Sequence, residues 1–286
     1  MNLLDKIASA GLRLTPGESA LVDYLASHYP QGVLESATAI AAHTGISAST
    51  VVRFFSKLGY PSFPEVQREI REEVSARLAS PANRAEAVMS TGQPMKAALE
   101  GAYSHDRNNL AATYEQLDVR AFEAAVQMLT RRGARVSLLA SKNSAAVALY
   151  LATHLNMCLP HVRLLDGGPM VLADQLIWAG PDDVLLAISI RRYSRSILTA
   201  AKHVKARGGK VVALTDSPLA PVAALADEYL TFRTANASPF DSYTAAIFLG
   251  NALVSAVAAR RGKEVRQALD RGEGLWTEFG VFTAKS

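Results

Sequence analysis

Two short stretches of this chain carry the side chains best suited to holding a small anion. They are Ser141-Lys142-Asn143-Ser144 and Ser189-Ile190-Arg191-Arg192-Tyr193-Ser194. Hydroxyls and free backbone N–H groups donate to phosphate or carboxylate oxygens. Two arginines can clamp an anion bidentately, and a tyrosine can stack on a flat or sugar face. The candidate ligand-binding residues are therefore Ser141, Lys142, Ser144, Ser189, Arg191, Arg192, Tyr193 and Ser194. The competing reading makes Arg191 and Arg192 an interface salt network or a solvated loop.

A third stretch, residues 40–54 with its continuation to Lys57, suits a larger polyanion. Ser47 can cap a helix, and Ser49, Thr50, Arg53 and Lys57 fall at the start and along the open side of that helix. Together these five are the candidate DNA-binding residues. Residues 44–60 hold two basic side chains and no acidic one, yet residues 1–77 hold seven Lys/Arg against eight Asp/Glu. The positive charge is thus local. The overall net charge of +4 permits a polyanionic partner without requiring one. The competing reading of this segment is a small helical bundle that contacts other proteins.

Other constellations carry less. His154 and Cys158 have the four-residue spacing of a metal pair, but no further ligand follows at a zinc spacing, although His161 is near in sequence. A buried cysteine beside a hydrogen-bonded histidine is the expectation, with no metal and no cofactor. There is no phosphate loop of the Walker type, no nucleophile elbow and no paired-cysteine motif. Residues 241–260 contain no Glu, so an isomerase would lack an evident proton-shuttling base there. With Cys158 the only cysteine, no intramolecular disulfide can form, which fits a cytoplasmic location. Asp5 stands where a secretory signal would be apolar. The apolar stretches 143–159 and 244–259 are short of a membrane span and are interrupted by His154, Asn156 and Asn251.

The elements that must position these residues follow from hydrophobic spacing and from turn residues. Helices are expected from Pro16 onward and over 36–43, 47–58 and 64–78, with Gly45 turning the chain between the second and third. Ala41 and Ala42 would let those two helices touch, and Ile46, Val51 and Phe54 would fill the space between them. Ser80-Pro81, Gly92 and Pro94 mark a linker over 79–94, followed by helices at 95–114 and 120–130. Beyond 135, strands are expected at 135–140, 161–165, 183–190, 210–215 and 229–233. Helices lie between them at 143–157, 194–207 and 219–226, with a long one at 241–260. Strands that are continuously apolar and alternate with helices imply a parallel sheet covered on both faces. Such a sheet binds ligands at the carboxyl ends of its strands, where both candidate loops fall. Residues 244–259 are apolar around most of a helix, which implies a second subunit covering part of it. The tail from Arg261 is polar until Leu275, Trp276 and Phe279, which are expected to dock.

The segment Thr50-Val51-Val52-Arg53-Phe54-Phe55-Ser56-Lys57-Leu58-Gly59-Tyr60, with Phe63, resembles the recognition helix and exit turn of RpiR-type regulators. In that family a sugar isomerase-type (SIS) domain follows the linker. Ala213-Leu214-Thr215-Asp216-Ser217-Pro218-Leu219-Ala220, continuing to Ala226-Asp227, resembles a late strand, loop and helix of such a domain. The sequence keeps Ser144, Ser189 and Ser194 in matching places. It departs at Ala140 and Lys142, where glycines are usual, and at Arg191-Arg192, where Ser-Gly is usual.

The sequence therefore describes an all-α helix-turn-helix domain at 1–78, a linker and connecting helix at 79–110, and an α/β domain at 111–286. The last is SIS-like, with a five-stranded parallel sheet. The resemblance implies a transcription regulator, expected to be a repressor. Its partners would be a double-stranded DNA operator and a small anionic effector, a sugar phosphate first. A homodimer or higher homo-oligomer away from any membrane is expected. A sugar-phosphate isomerase with a helical appendage is the alternative.

Overall fold

The computed structural model describes residues 3, 6–7, 10–12, 14–28, 31–78, 81–82, 84–85 and 95–282. The chain divides into two compact units, Met1–Ser80 and Pro81–Ser286.

The first unit is helical: α1 (Pro16–His28), α2 (Gln31–Leu34), α3 (Ala37–Thr44), α4 (Ala48–Lys57) and α5 (Phe63–Leu78). Each start that matters here has a chemical cause. At α1, Thr15 N and Oγ1 both donate to Glu18 Oε2 at 2.9 Å, and Glu18 N–H donates back to Thr15 Oγ1 at 3.3 Å. That reciprocal arrangement, with Pro16 at the first helical position, satisfies donors that the helix cannot. Ser36 caps α3 through the Ala39 N–H at 3.1 Å. Gly45 ends α3 at φ +69°, a conformation that costs a side chain about 1–2 kcal/mol. Leu21, Leu25, Ile40, Val51, Phe54, Phe55, Val66 and Ile70 form the core. Ile46 leans on α1 so closely that a Cβ at Gly17 would lie 2.9 Å from its Cγ2. Ala41 is buried as expected, but Ala42 is exposed and does not serve the helix contact. The single turn of α2 has no counterpart in the sequence reading.

In the second unit, α6 (Met95–Glu115) and α7 (Val119–Thr130) precede β1 (Arg135–Ala140), a 3-10 turn (Lys142–Ser144) and α8 (Ala145–Asn156). Then come β2 (Val162–Leu165), α9 (Pro169–Leu176), β3 (Asp183–Ser189), α10 (Arg195–Ala206) and β4 (Lys210–Thr215). A 3-10 turn (Ala223–Leu225), β5 (Glu228–Thr231), α11 (Thr244–Arg260) and α12 (Gly262–Glu278) complete it. The five strands are all parallel, in the order β2-β1-β3-β4-β5. Leu138, Leu186 and Leu214 pack with α7, α8 and α11 on one face. Leu139, Leu185 and Ala213 pack with α9 and α10 on the other. Burial on both faces explains why the inner strands are apolar without alternation.

Several expectations need correction. Helix α6 is no connector: Asn109 is buried and bonds both the carbonyl and the N–H of Ala235, so α6 belongs to the second unit. Most of the linker at 79–94 lies outside the described residues. Helix α11 packs against α6, α7 and α8 over much of its circumference, and its exposed positions are Thr244, Asn251, Ser255, Ala259 and Arg260. The tail from Gly262 is helical, and Val265 is its buried residue, whereas Leu275 and Phe279 stay exposed. Finally, α9 was not expected: its eight residues follow Asp166-Gly167-Gly168, with Pro169 at its first turn. Where a helix was expected at 219–226, only the turn Ala223–Leu225 forms.

Candidate DNA-reading helix and ligand loops

Helix α4 presents a polar ridge. Ser47 Oγ accepts from Thr50 N–H at 3.2 Å, fixing the helix start, and lies 2.8 Å from both Ser49 Oγ and Thr50 Oγ1. Arg53 Nη2 donates to Thr50 Oγ1 at 3.4 Å, so the guanidinium is held along the same ridge. Ser47, Ser49 and Arg53 are exposed, and Val52 stands beside them, while Val51, Phe54 and Phe55 face the core. Four of the five expected DNA-contacting residues therefore share one surface. Lys57 is different. Its ammonium is bonded to Glu18 Oε1, and the Glu18 side chain is only 5% exposed. The Lys57 bond and the Thr15 donors hold the Glu18 carboxyl down at about 2. Lys57 thus has a structural partner in the unit and brings less free charge than Arg53.

In the second unit, strand order reverses between β1 and β3, and the helices that follow them lie on opposite faces of the sheet. Open parallel sheets leave a crevice at that switch point. Both candidate loops flank it, and Ser141 Oγ donates across to Ser194 Oγ at 3.1 Å. Ser144 is buried, donating to Ser141 O at 2.7 Å and accepting from Ser141 N–H at 3.3 Å. Ser194 starts α10 in an extended conformation without a side-chain cap, so the first N–H groups of the helix keep no side-chain acceptor. Ser189 Oγ, on a residue 2% exposed, has no hydrogen-bond partner among the described residues. A buried orphan hydroxyl costs about 1–3 kcal/mol until something bonds it.

The backbone points to the same place. Among the described residues, the non-glycine residues at positive φ are Lys142 (+53°) and Arg191 (+47°), one in each loop. Lys142 stands where the resemblance calls for glycine, so the left-handed turn persists although the residue that favours it has been replaced. Each such conformation costs roughly 1–3 kcal/mol and must be imposed by its surroundings.

The arginines do not form a paired clamp. Arg191 N–H donates to Asp216 Oδ1 at 3.2 Å and its Nε is ion-paired to Asp241 Oδ1, whereas Arg192 is exposed. Tyr193 is half-buried against the α10 side of the core. Sequence reasoning missed Asp216, Asp241 and Tyr243, which complete the surroundings. Asp216 was visible only as part of the 213–220 motif, and Asp241 and Tyr243 only as the start of a helix. Burial first, then Asp241, pushes the Tyr243 phenol up to about 12, so it is neutral near pH 7. Lys142 is exposed at the rim.

Elsewhere, His154 bonds Tyr150 O at 2.8 Å, and burial raises the Cys158 thiol. A hollow of about 330 Å³ between α9 and α10 is lined mainly by apolar groups beside Arg195 and His203. Another, of about 350 Å³, lies at the opposite ends of the strands beside Arg135 and Arg163. Among the described residues no helix is long and apolar enough to cross a membrane.

Comparison with known proteins agrees with this two-part layout. Residues 1–77 match the family model "Helix-turn-helix domain, rpiR family", and residues 128–256 match the SIS domain. An uncharacterized HTH-type transcriptional regulator of Clostridium perfringens is 24% identical, covering 82% of this chain and 83% of its own. The uncharacterized regulator YfhH of Escherichia coli is 29% identical, covering 75% and 76%. The sugar isomerase domain of an RpiR transcription factor from Sphaerobacter thermophilus superposes with a TM-score of 0.60 at 29% identity. It covers 62% of this chain and 98% of its own. The Vibrio vulnificus NanR protein, solved complexed with ManNAc-6P, shares the fold over 99% of this chain and 100% of its own, at TM-score 0.56 and 18% identity. The chain belongs to the RpiR family of transcriptional regulators, a helix-turn-helix domain followed by a SIS domain.

Proposed function

We propose that the protein binds an operator through α4 and is regulated, as a repressor, by a phosphorylated sugar held between the 141–144 and 190–194 loops. The observation that carries the ligand site is the pairing of strained backbone across the switch point. Lys142 and Arg191 both stand at positive φ, and the serines beside them, Ser141 and Ser194, touch. Strain kept in two facing loops marks a place where the backbone has been shaped for something other than stability. The α10 N-terminus and the orphan Ser189 hydroxyl supply donors for anionic oxygens. The NanR complex with ManNAc-6P shows a related fold with a ligand of this class, which supports the reading.

On the DNA side, Arg53 with Ser47, Ser49 and Thr50 would meet base edges and phosphates at the start of α4. The test is to select DNA with the purified protein, then titrate that DNA with and without a panel of sugar phosphates. A ligand-dependent shift in affinity supports the proposal. Turnover of an aldose or ketose phosphate would return the isomerase reading, and failure to retain any DNA would remove the regulator reading.

A further inference from the structure

Arg84 lies four residues beyond Ser80, where the first unit ends, and on the segment that opens the second. Its Nη1 donates to Asp241 Oδ1 at 2.9 Å, and that oxygen is also the partner of Arg191 Nε in the ligand loop. One carboxylate oxygen therefore joins the segment entering the second unit to the strained residue of the loop. The cluster is mostly shielded: Asp241 is 13% exposed, and Arg84 and Arg191 are each 21% exposed. Asp216 sits on the other side, accepting the Arg191 backbone N–H. Tyr243 feels the charges of all four residues.

We propose that Arg84 is a positioning residue for the proposed ligand site. Through Asp241 it sets Arg191, and through the same carboxylate it reports occupancy of the loop to the segment leading from the DNA-binding unit. The proposal rests on the reading of the 190–194 loop as the anion site. Its physical basis is competition for charge. Two guanidinium groups share one carboxylate, so the trio carries a net positive charge. An anion arriving at Arg191 competes with Asp241 for it. As that bond weakens, Asp241 is left to Arg84 alone, and its hold on Arg84 tightens. A ligand shifts an equilibrium only through different contacts in the two states, and the shared oxygen provides such a difference. The Arg84 contact is suited to exchange. It is one bond through Nη1 and no bidentate fork, and Arg84 Nε is buried without a hydrogen-bond partner among the described residues.

The test measures a ratio: operator affinity without ligand divided by operator affinity with the sugar phosphate that gives the largest wild-type response, in the full-length chain at fixed salt. The variants are Arg84→Gln and Arg84→Lys, and binding of the same sugar phosphate is followed by calorimetry. Arg84→Gln is expected to reduce the ratio at least about fivefold or bring it to one. Its ligand-free operator affinity should stay within about twofold of wild type, the scatter of independent sites. Arg84→Lys keeps a point charge and is expected to restore part of the ratio, which also guards against a glutamine variant that fails to fold. An unchanged ratio in Arg84→Gln overturns the proposal, as does an equal loss of both affinities with the ratio preserved, which would mark Arg84 as a strut. Those outcomes leave the ligand reading intact, because the wild type still responds. A wild type that responds to none of the sugar phosphates, nor to inorganic phosphate, removes the ligand reading and this proposal together.

Discussion

The start of α4 and the two candidate ligand loops are both built of serines beside arginine, yet their hydrogen bonds have opposite reach. At α4, Ser47, Ser49, Thr50 and Arg53 bond one another within a span of seven residues, on relaxed helical backbone capped in the ordinary way. In the loops, the partners of Ser141 and Arg191 stand 53, 25 and 50 positions away, at Ser194, Asp216 and Asp241. Two residues there hold left-handed conformations that their side chains oppose. The start of α4 is shaped by its own sequence. The paired loops are shaped by the fold, which pins them from a distance. The first should accordingly lose function without losing structure, while the second should exchange one for the other.

The largest effect is expected at Arg53. Arg53→Ala should weaken operator binding by about 1–3 kcal/mol in a salt-controlled titration, with the thermal midpoint unchanged, because the side chain is exposed and, among the described residues, bonds only Thr50. A lowered midpoint would mean that the helix start is less self-sufficient than it looks. Next comes Ser189→Ala. Removing the orphan hydroxyl should leave the ligand-free protein as stable or up to about 1 kcal/mol more stable, while sugar-phosphate affinity falls about tenfold. Calorimetry and thermal melts on the same samples separate the two. Loss of stability would place a structural bond on that hydroxyl.

Glu18→Gln probes the structural partner of α4 and should cost roughly 1 kcal/mol of stability, from a weakened cap and the loss of the ion pair to Lys57. The corresponding pH dependence has a definite sign. The Glu18 carboxyl is held below its usual 4.5 at about 2, so its contribution is fully present above pH 4.5 and is lost as pH falls through about 2. Acid unfolding of the wild type should converge on that of Glu18→Gln across this window, and parallel curves would show that the ion pair adds nothing. The smallest effect is expected at Lys142. Lys142→Gly relieves a left-handed lysine and should raise stability by about 0.5 kcal/mol, net of the freedom glycine gains when unfolded. A decrease in the chemical melt would mean that the turn is not strained.

The same contrast decides what could be read from the sequence. Ser47, Gly45 and the burial of Val51 and Phe54 follow from neighbours a few residues apart, and the structure has them as expected. The five parallel strands were also legible, because burial on both faces leaves an apolar run. The partner of Arg191 was not, since nothing in the 189–194 stretch specifies an aspartate 50 residues on. Ser189 was visible as a hydroxyl, but its lack of a partner is a property of the packed core. The packing of α6 against α11 was hidden for a related reason, since α6 was expected only as a connector and its contacts lie far off in sequence. The Lys57–Glu18 pair, 39 positions apart, escaped in the same way.

The most direct test of the whole account is the anisotropy of selected operator DNA, titrated with wild-type protein and with Ser189→Ala at one salt concentration, each with and without the responding sugar phosphate. The account predicts a wild-type shift within the usual coupling range of about 5- to 150-fold. In Ser189→Ala the ligand-free affinity should be unchanged and the shift at subsaturating ligand sharply reduced. A full response in Ser189→Ala at the same ligand concentration, or a wild type indifferent to every sugar phosphate, would contradict it.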